Sequence, residues 1–264
     1  MSSLSWRGEL NKVLSATYKN WIISKRNVFT VFELIFWPFI GLLSIGLLTR
    51  FLEVGDDMVA FVLVGAIALS ILQISQIDVA YILLFDLWSK SIKQTFVSPV
   101  RGYHLVLGAM LFGVIRGVAV FLVLAAASGH LFGFDFLAGG AVTVIVFLAG
   151  IFITAASIGM VVCISILLFG QRADVAAWTL SGIMMLVSGV YYPVSILPGP
   201  LQILSKSIPL TYLLEYYRSA YGYGSHQILL GMALALLYFS ASLLILNLAI
   251  ERARRTGMML RLSE

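Results

Sequence analysis

Residues 141–169 read AVTVIVFLAGIFITAASIGMVVCISILLF, 29 residues with no Asp, Glu, Lys or Arg among them. A bilayer's hydrocarbon core is about 30 Å thick and is crossed by roughly 20 apolar helical residues, so this run is long enough to span it. Five further runs flank it: Val28–Thr49, Val59–Phe85, Leu105–Ala127, Val175–Leu197 and Ile228–Ile250. Transmembrane β-strands would show segments of about ten residues alternating apolar and polar. Stretches such as VFLVLAAA (120–127) and LLGMALALL (229–237) do not alternate, so the spans are predicted to be helices. Composition agrees: 61% hydrophobic and 11% charged residues are far from the soluble averages of roughly 45–50% and about 25%. A soluble domain and a disordered chain are both excluded. The expected fold is all-α and polytopic, with six transmembrane helices.

Six spans put both termini on one side, and charge then decides which. The N-terminal segment, the loop at 86–104, the short turn at 170–174 and the C-terminal segment together hold 13 of the 17 Lys and Arg residues. The opposite connections carry Arg50, Lys206 and Arg218 beside Glu53, Asp56, Asp57, Asp135 and Glu215. By the positive-inside rule both termini are expected in the cytoplasm, with the chain integral to a plasma (inner) membrane. The net charge of +5 is thus mostly an orientation signal, and no nucleic-acid partner is expected. The first apolar run begins too late and runs too long for a cleavable signal peptide, so it is read as a permanent span. The lone Cys163 has no disulfide partner within the chain.

Outside the spans, residues 6–22 place Trp6, Leu10, Val13, Leu14, Thr17, Tyr18 and Trp21 on one helical arc, with Glu9, Lys12 and Lys19 opposite. That is the pattern of an amphipathic helix lying at the membrane interface, and residues 1–27 are read as a cytoplasmic unit preceding a transmembrane domain at 28–264. In the loop after the second span, Trp88, Ile92, Thr95 and Phe96 share a face of a short helix at about 87–98, with Lys93 off that face and Pro99 stopping it. Between spans 5 and 6 the segment SGVYYPVSILPGPLQILSKSIPLTYLLEYYRSAYGYG carries Pro193, Pro198, Pro200 and Pro209. Proline favours the first helical turn, so two short outer helices are expected within about 199–224, near Leu201–Ser207 and Leu210–Tyr221. The cytoplasmic tail is set at 251–264.

Taken together these segments resemble the membrane (permease) subunits of ABC exporters in the ABC type-2 transporter family. The loop fragment KQTFVSPVRGYHLVLG is similar to that family's coupling segment, through Thr95, Phe96, Pro99 and Gly108. The outer fragment is similar to the family's second hallmark, through Gly189, Tyr191, Tyr192, Pro193, Leu197, Pro198, Pro209, Glu215 and Arg218. The resemblance implies coupling to an ATPase through Trp88, Ile92, Lys93, Thr95, Phe96 and Pro99, and an outer gate at Pro193, Pro198, Pro209, Glu215 and Arg218. It also implies a homodimer joined by two separate cytoplasmic ATPase chains. The sequence holds no G-x-x-x-x-G-K-[ST] phosphate loop, so ATP and Mg are expected on those partners, and no cofactor on this chain. The implied function is export of an amphiphile, such as a lipid-linked glycan, a lipid or a hydrophobic drug.

Within the spans stand Glu33, Asp78 and Arg116, and an intramembrane charge marks function by default. Two readings of Asp78 and Arg116 stay open here, an ion pair tying spans 2 and 3 or the lining of a hydrated route; a proton relay, the third, would call for a series of carboxylates or histidines along one route, and only two acids are available. The resemblance sets spans 1 and 5 beside the substrate path, with Glu33, Trp37, Asp78, Arg116, Tyr191 and Tyr192 as candidates. Pro38 should kink span 1. An ion-coupled secondary transporter would show internal repeats, and none is seen. An intramembrane enzyme would need a nucleophile with its base, or a metal cluster. His104, His130 and His226 fall at span edges or in loops, away from one another in sequence.

Overall fold

The computed structural model describes residues 6–255, and among them all regular structure is helical. In chain order the helices are α1 (Trp6–Arg26), α2 (Val28–Phe51), α3 (Asp56–Trp88), α4 (Ile92–Val97), α5 (Gly102–Phe132), α6 (Ala141–Phe169), α7 (Val175–Val187), α8 (Gly199–Lys206), α9 (Pro209–Ser219) and α10 (Ile228–Arg255). Five of them, α2, α3, α5, α6 and α10, are long and apolar enough to cross a membrane. The helices run up and down between two ends. The base carries α1, α4 and the turn between α6 and α7; the crown carries the α5–α6 loop, α8 and α9.

The axis of the bundle is α3, whose 33 residues extend about 50 Å. It is apolar on every side because it is surrounded: α5 and α6 pack along its length, with α2, α7 and α9 against it as well. Leu63, Ile67, Ile71 and Leu72 are buried in a crown-side core with Phe147, Ile151, Leu213 and Tyr217. Ile82, Leu83 and Leu84 join Val106, Val162 and Ile166 in a base-side core. The outer helices begin on proline as expected, with Pro200 and Pro209 in their first turns. Pro38 sits inside α2 without ending it.

Two expectations need correction. The fifth apolar run, Val175–Leu197, is helical only over the 13 residues of α7, about 20 Å. The helix stops at Ser188; Gly189 turns with φ +72°, and only a 3-10 turn at Val194–Ile196 follows. The segment still runs from beside Tyr81 to beside Gly65, roughly 24 Å along α3. The second correction concerns Trp88. It belongs to the last turn of α3, packed edge-on to Tyr81 and Phe85, and a turn at Lys90 (φ +55°) separates it from α4. The predicted helix at 87–98 is therefore six residues long, and Trp88 is not on it. Of the 251–264 tail, residues up to Arg255 extend α10; 256–264 lie outside the described residues.

The crown closes over Gly65. A Cβ there would stand 1.8 Å from the Val190 carbonyl oxygen and 2.9 Å from an Arg218 Nη. Overpacking of this kind costs about 1–3 kcal/mol, and more where backbone must shift. Gly65→Ala is expected to lower the yield of monodisperse protein in detergent and its thermal midpoint. Gly41→Ala, in a position with nothing within 4 Å, should change neither.

Candidate functional site

At the base, α1 is held by its polar face. Trp6, Leu10, Leu14, Tyr18 and Trp21 are exposed, as an interfacial helix requires, while Ala16 and Asn20 are buried against the bundle. Glu9 accepts hydrogen bonds from Lys12 Nζ, the Tyr103 hydroxyl and His104 Nε2, each at 2.6 Å. His104 is fully buried, and its Nδ1 accepts the Arg101 N–H at 2.9 Å; Nε2 therefore carries the proton that Glu9 receives. These donors, Lys12 first, hold the Glu9 carboxyl down to about 2. Farther along, Thr17 donates to the Gly108 carbonyl at 3.0 Å, and a Cβ on Gly108 would stand 2.5 Å from that of Ala16. Gly108 is thus the point where α1 crosses α5.

The second joint at the base is Asp86, fully buried near the end of α3. Its carboxylate pairs with Lys19 of α1 and accepts from Ser91 Oγ at 3.0 Å and Thr95 Oγ1 at 2.8 Å. Around it α3 ends in a Schellman turn: Lys90 N–H bonds to Leu87 O and Ser91 N–H to Asp86 O. From that turn α4 emerges with Ile92 fully buried, while Gln94, Val97 and Pro99 face outward. The side chains of Lys93 and Phe96 lie outside the described residues. Of the sequence-derived coupling set, Ile92 and Thr95 anchor α4, and Pro99 follows its end.

Midway through the bundle Asp78 and Arg116 form an ion pair between α3 and α5, with the Arg116 guanidinium 5.5 Å from the Phe112 ring centroid. Of the two readings left open by the sequence, the tie between helices is the one seen. Asp78 Oδ2 and Arg116 Nε have no hydrogen-bond partner among the described residues. Nearby, Gln76 donates to the Ala177 carbonyl at 2.7 Å and accepts from Ser181 at 2.9 Å, clasping α7 to α3. Glu33 and Trp37 lie on the exposed face of α2, so the candidate path residues are spread over separate places. Tyr191 and Tyr192 are in the turn beyond α7, where the Tyr192 hydroxyl donates to Leu186 O at 2.5 Å.

At the crown, Arg218 of α9 is buried and turns its guanidinium to main-chain oxygens. Nη1 donates to Gly189 O at 2.7 Å; Nη2 donates to Val190 O at 2.7 Å and Phe61 O at 2.9 Å. The Phe61 ring covers it, 3.4 Å from centroid to Cζ. Glu215, one turn earlier, accepts from Ser225 Oγ at 2.6 Å and so ties the approach to α10. Pro193 and Pro198 bracket the 3-10 turn, and Pro209 starts α9. The Tyr217 hydroxyl bonds to Phe136 O and that of Tyr221 to Asp135 O, fixing α9 to the α5–α6 loop. Sequence reasoning missed Asp86, His104 and the inward use of Glu9 and Lys19. Their only signal is polarity at the rims of apolar runs, which does not name partners. No three His, Cys, Asp or Glu side chains come together as metal ligands among the described residues.

The described residues thus form a helical bundle of an integral membrane protein, with a short helix presented at one end and a broken helix at the other. The chain belongs to the ABC-2 type transporter family, whose pattern matches residues 11–221. It is the membrane subunit of an ABC transporter, a class that works with ABC ATPase partners, the ATPase typically on a separate chain. A 60-residue stretch, 23% of this chain, is 38% identical to an uncharacterized protein of Archaeoglobus fulgidus and covers 91% of that protein.

Two predictions follow from these joints. Breaking one partner of a buried ion pair typically costs about 3–5 kcal/mol, whereas replacing both by apolar residues is often neutral. Asp78→Leu and Arg116→Leu should each reduce the folded yield, and the double variant should recover most of it. Additive losses would contradict the pairing. Glu9 titrates lower when α1 is docked, so its contribution is full above about pH 4.5 and fades as pH falls toward about 2. At neutral pH, Glu9→Gln should loosen α1, read as a broadened distance between spin labels on α1 and α5. The difference from wild type should vanish over that acid range.

Proposed function

We propose that this chain is the permease of an ATP-driven exporter, acting as a homodimer with two cytoplasmic ATPase chains that bind the ATP and Mg. The base then faces the cytoplasm of a plasma (inner) membrane, with both termini on that side. The observation that carries this reading is the two-sidedness of α4. Ile92 is sunk in the base-side core, while Val97 is 87% exposed on a helix that lies beyond the span. An apolar side chain held out rigidly at that place suits a partner's cleft. Charge supports the orientation, since Lys and Arg gather at the base. In this reading ATPase closure presses on α4 and the neighbouring α1, and the two bundles shift against each other.

Support for the dimer and the path comes from α2 and α7. Both bare broad apolar faces, with Phe32, Phe36 and Trp37 on one and Trp178, Ile183 and Leu186 on the other. Glu33 lies on the exposed side of α2, where a carboxylate facing hydrocarbon would cost several kcal/mol unless hydrated or paired. We assign the path of an amphiphile, a lipid-linked glycan, lipid or hydrophobic drug, to this face. It would leave past Tyr191, Tyr192 and the crown turn of Pro193 and Pro198, with Glu215, Arg218 and Pro209 holding the gate.

The test is reconstitution of the purified chain with a partner ABC ATPase. ATP turnover should require the ATPase chain, and Val97→Asp should weaken its capture about tenfold, the scale of a single interface anchor. Transport driven by a proton or sodium gradient with no ATPase present would overturn the reading.

A further inference from the structure

We infer that Asp86 is a positioning residue that locks α4 and α1 to the base of α3, making the three one rigid lever. The use of that lever rests on the function proposed above; its rigidity does not. A six-residue helix is far too short to hold its own shape in water, so α4 is ordered by its anchors. Among the described side chains those anchors include Ile92, fully buried, and the Thr95 hydroxyl on Asp86. The same carboxylate holds Ser91 at the start of α4 and Lys19 from α1. Its main-chain oxygen closes the turn by accepting from Ser91 N–H at 2.9 Å. Lys90, in that turn, adopts a left-handed conformation that costs a lysine backbone energy, so the path from α3 into α4 is imposed from outside the turn.

Three donors converge on one acceptor that is fully buried. Hydrogen bonds to a buried charge are about twice as strong as neutral ones, and they fix direction as well as distance. An asparagine at 86 would keep the shape yet turn an N–H toward donors, leaving at least one of them unmatched. Force applied to α4 therefore reaches α3, the axis against which α5, α6 and α7 all pack, without passing through a flexible loop. It reaches α1 by the Lys19 arm of the same carboxylate. A second hold at Glu9, Tyr103 and His104 keeps α1 on α5 when the first is cut, so loosening at Asp86 should not shed α1 altogether.

The experiment uses the full chain in lipid nanodiscs, reading amide hydrogen exchange across 92–97 together with the distance between spin labels on α1 and α4. Thr95→Val removes the hydroxyl at nearly constant shape, and Thr95→Ser restores it. Exchange across α4 should rise about tenfold or more in Asp86→Asn and in Thr95→Val, and return to wild type in Thr95→Ser. The α1–α4 distance should broaden in Asp86→Asn and in Lys19→Met. Wild-type exchange in Thr95→Val, or an unchanged distance in Asp86→Asn, would overturn the inference. Because Asp86→Asn risks poor folding, the Thr95 pair decides the matter alone if that variant is lost. A final arm adds the ATPase and traps it with Mg-ADP-vanadate. The α1–α4 distance should stay fixed in wild type there, as one rigid lever requires, while the distance between α4 labels on the two copies should change; absence of that second change would sink the proposed function and leave the lever standing on the first two arms.

Discussion

Inside a bilayer no water is at hand for a bare carbonyl, amide or charge, so each must be matched by another part of the chain. Helices solve this for the backbone along their length, and they fail at their ends and wherever they stop early. The arrangement of this bundle follows from where such ends fall. Apolar packing alone does little to choose among helix arrangements in lipid, because a leucine is as well solvated by acyl chains as by another leucine. Direction therefore comes from a few polar joints, placed at three heights: Glu9 and Asp86 at the base, Asp78 with Arg116 midway, and Arg218 at the crown.

Those joints divide the labour. The midway pair and the Gln76 clasp join α3 to α5 and α7 within the membrane, where a partner that let go would have nowhere to put its polar group. At the base Asp86 and His104 are fully buried while their partners on α1, Lys19 and Glu9, stay partly exposed, so burial falls off from the bundle toward α1. That gradient suits a protein that receives force at one end. It also explains why α1 shows its aromatic face outward. Trp6, Tyr18 and Trp21 belong at the lipid interface, which leaves Glu9 and Lys19 to do the gripping.

Hydropathy was enough to find the long helices, because a run such as 141–169 has one stable form in lipid. It was not enough for the fifth. Residues 175–197 carry no charge and so read as one run, although Gly189 and Pro193 within them are local helix-stop signals; contacts of the Gly189–Val190 turn with α3 and α9 fix where the chain breaks. Trp88 misled for a related reason: its spacing to Ile92 fits one helix face, yet the left-handed Lys90 between them turns the chain. In lysine such a conformation is uncommon, so no residue-type signal announced it. Asp86 was invisible as a joint because its partners lie 67 residues before it and 9 after it. The pairing of Asp78 with Arg116 was within reach, since two opposite charges at membrane depth on successive spans have few other partners.

The crown shows how scattered motif residues can be one device. Ending α7 at Val187 leaves its last carbonyls without intrahelical donors, in a place where water cannot be counted on. Gly189, free to take φ +72°, bends the chain so that its own carbonyl and that of Val190 point at α9. Arg218 meets both, with Phe61 O as a third acceptor, and the Tyr192 hydroxyl takes Leu186 O. The guanidinium needs no carboxylate here, because the negative end of a helix and turned carbonyls supply the potential a counter-ion would. Removing the break would leave the arginine unmatched, and removing the arginine would leave the break unmatched. The glycine, the tyrosine and the arginine, spread over 30 residues of sequence, therefore make sense only together.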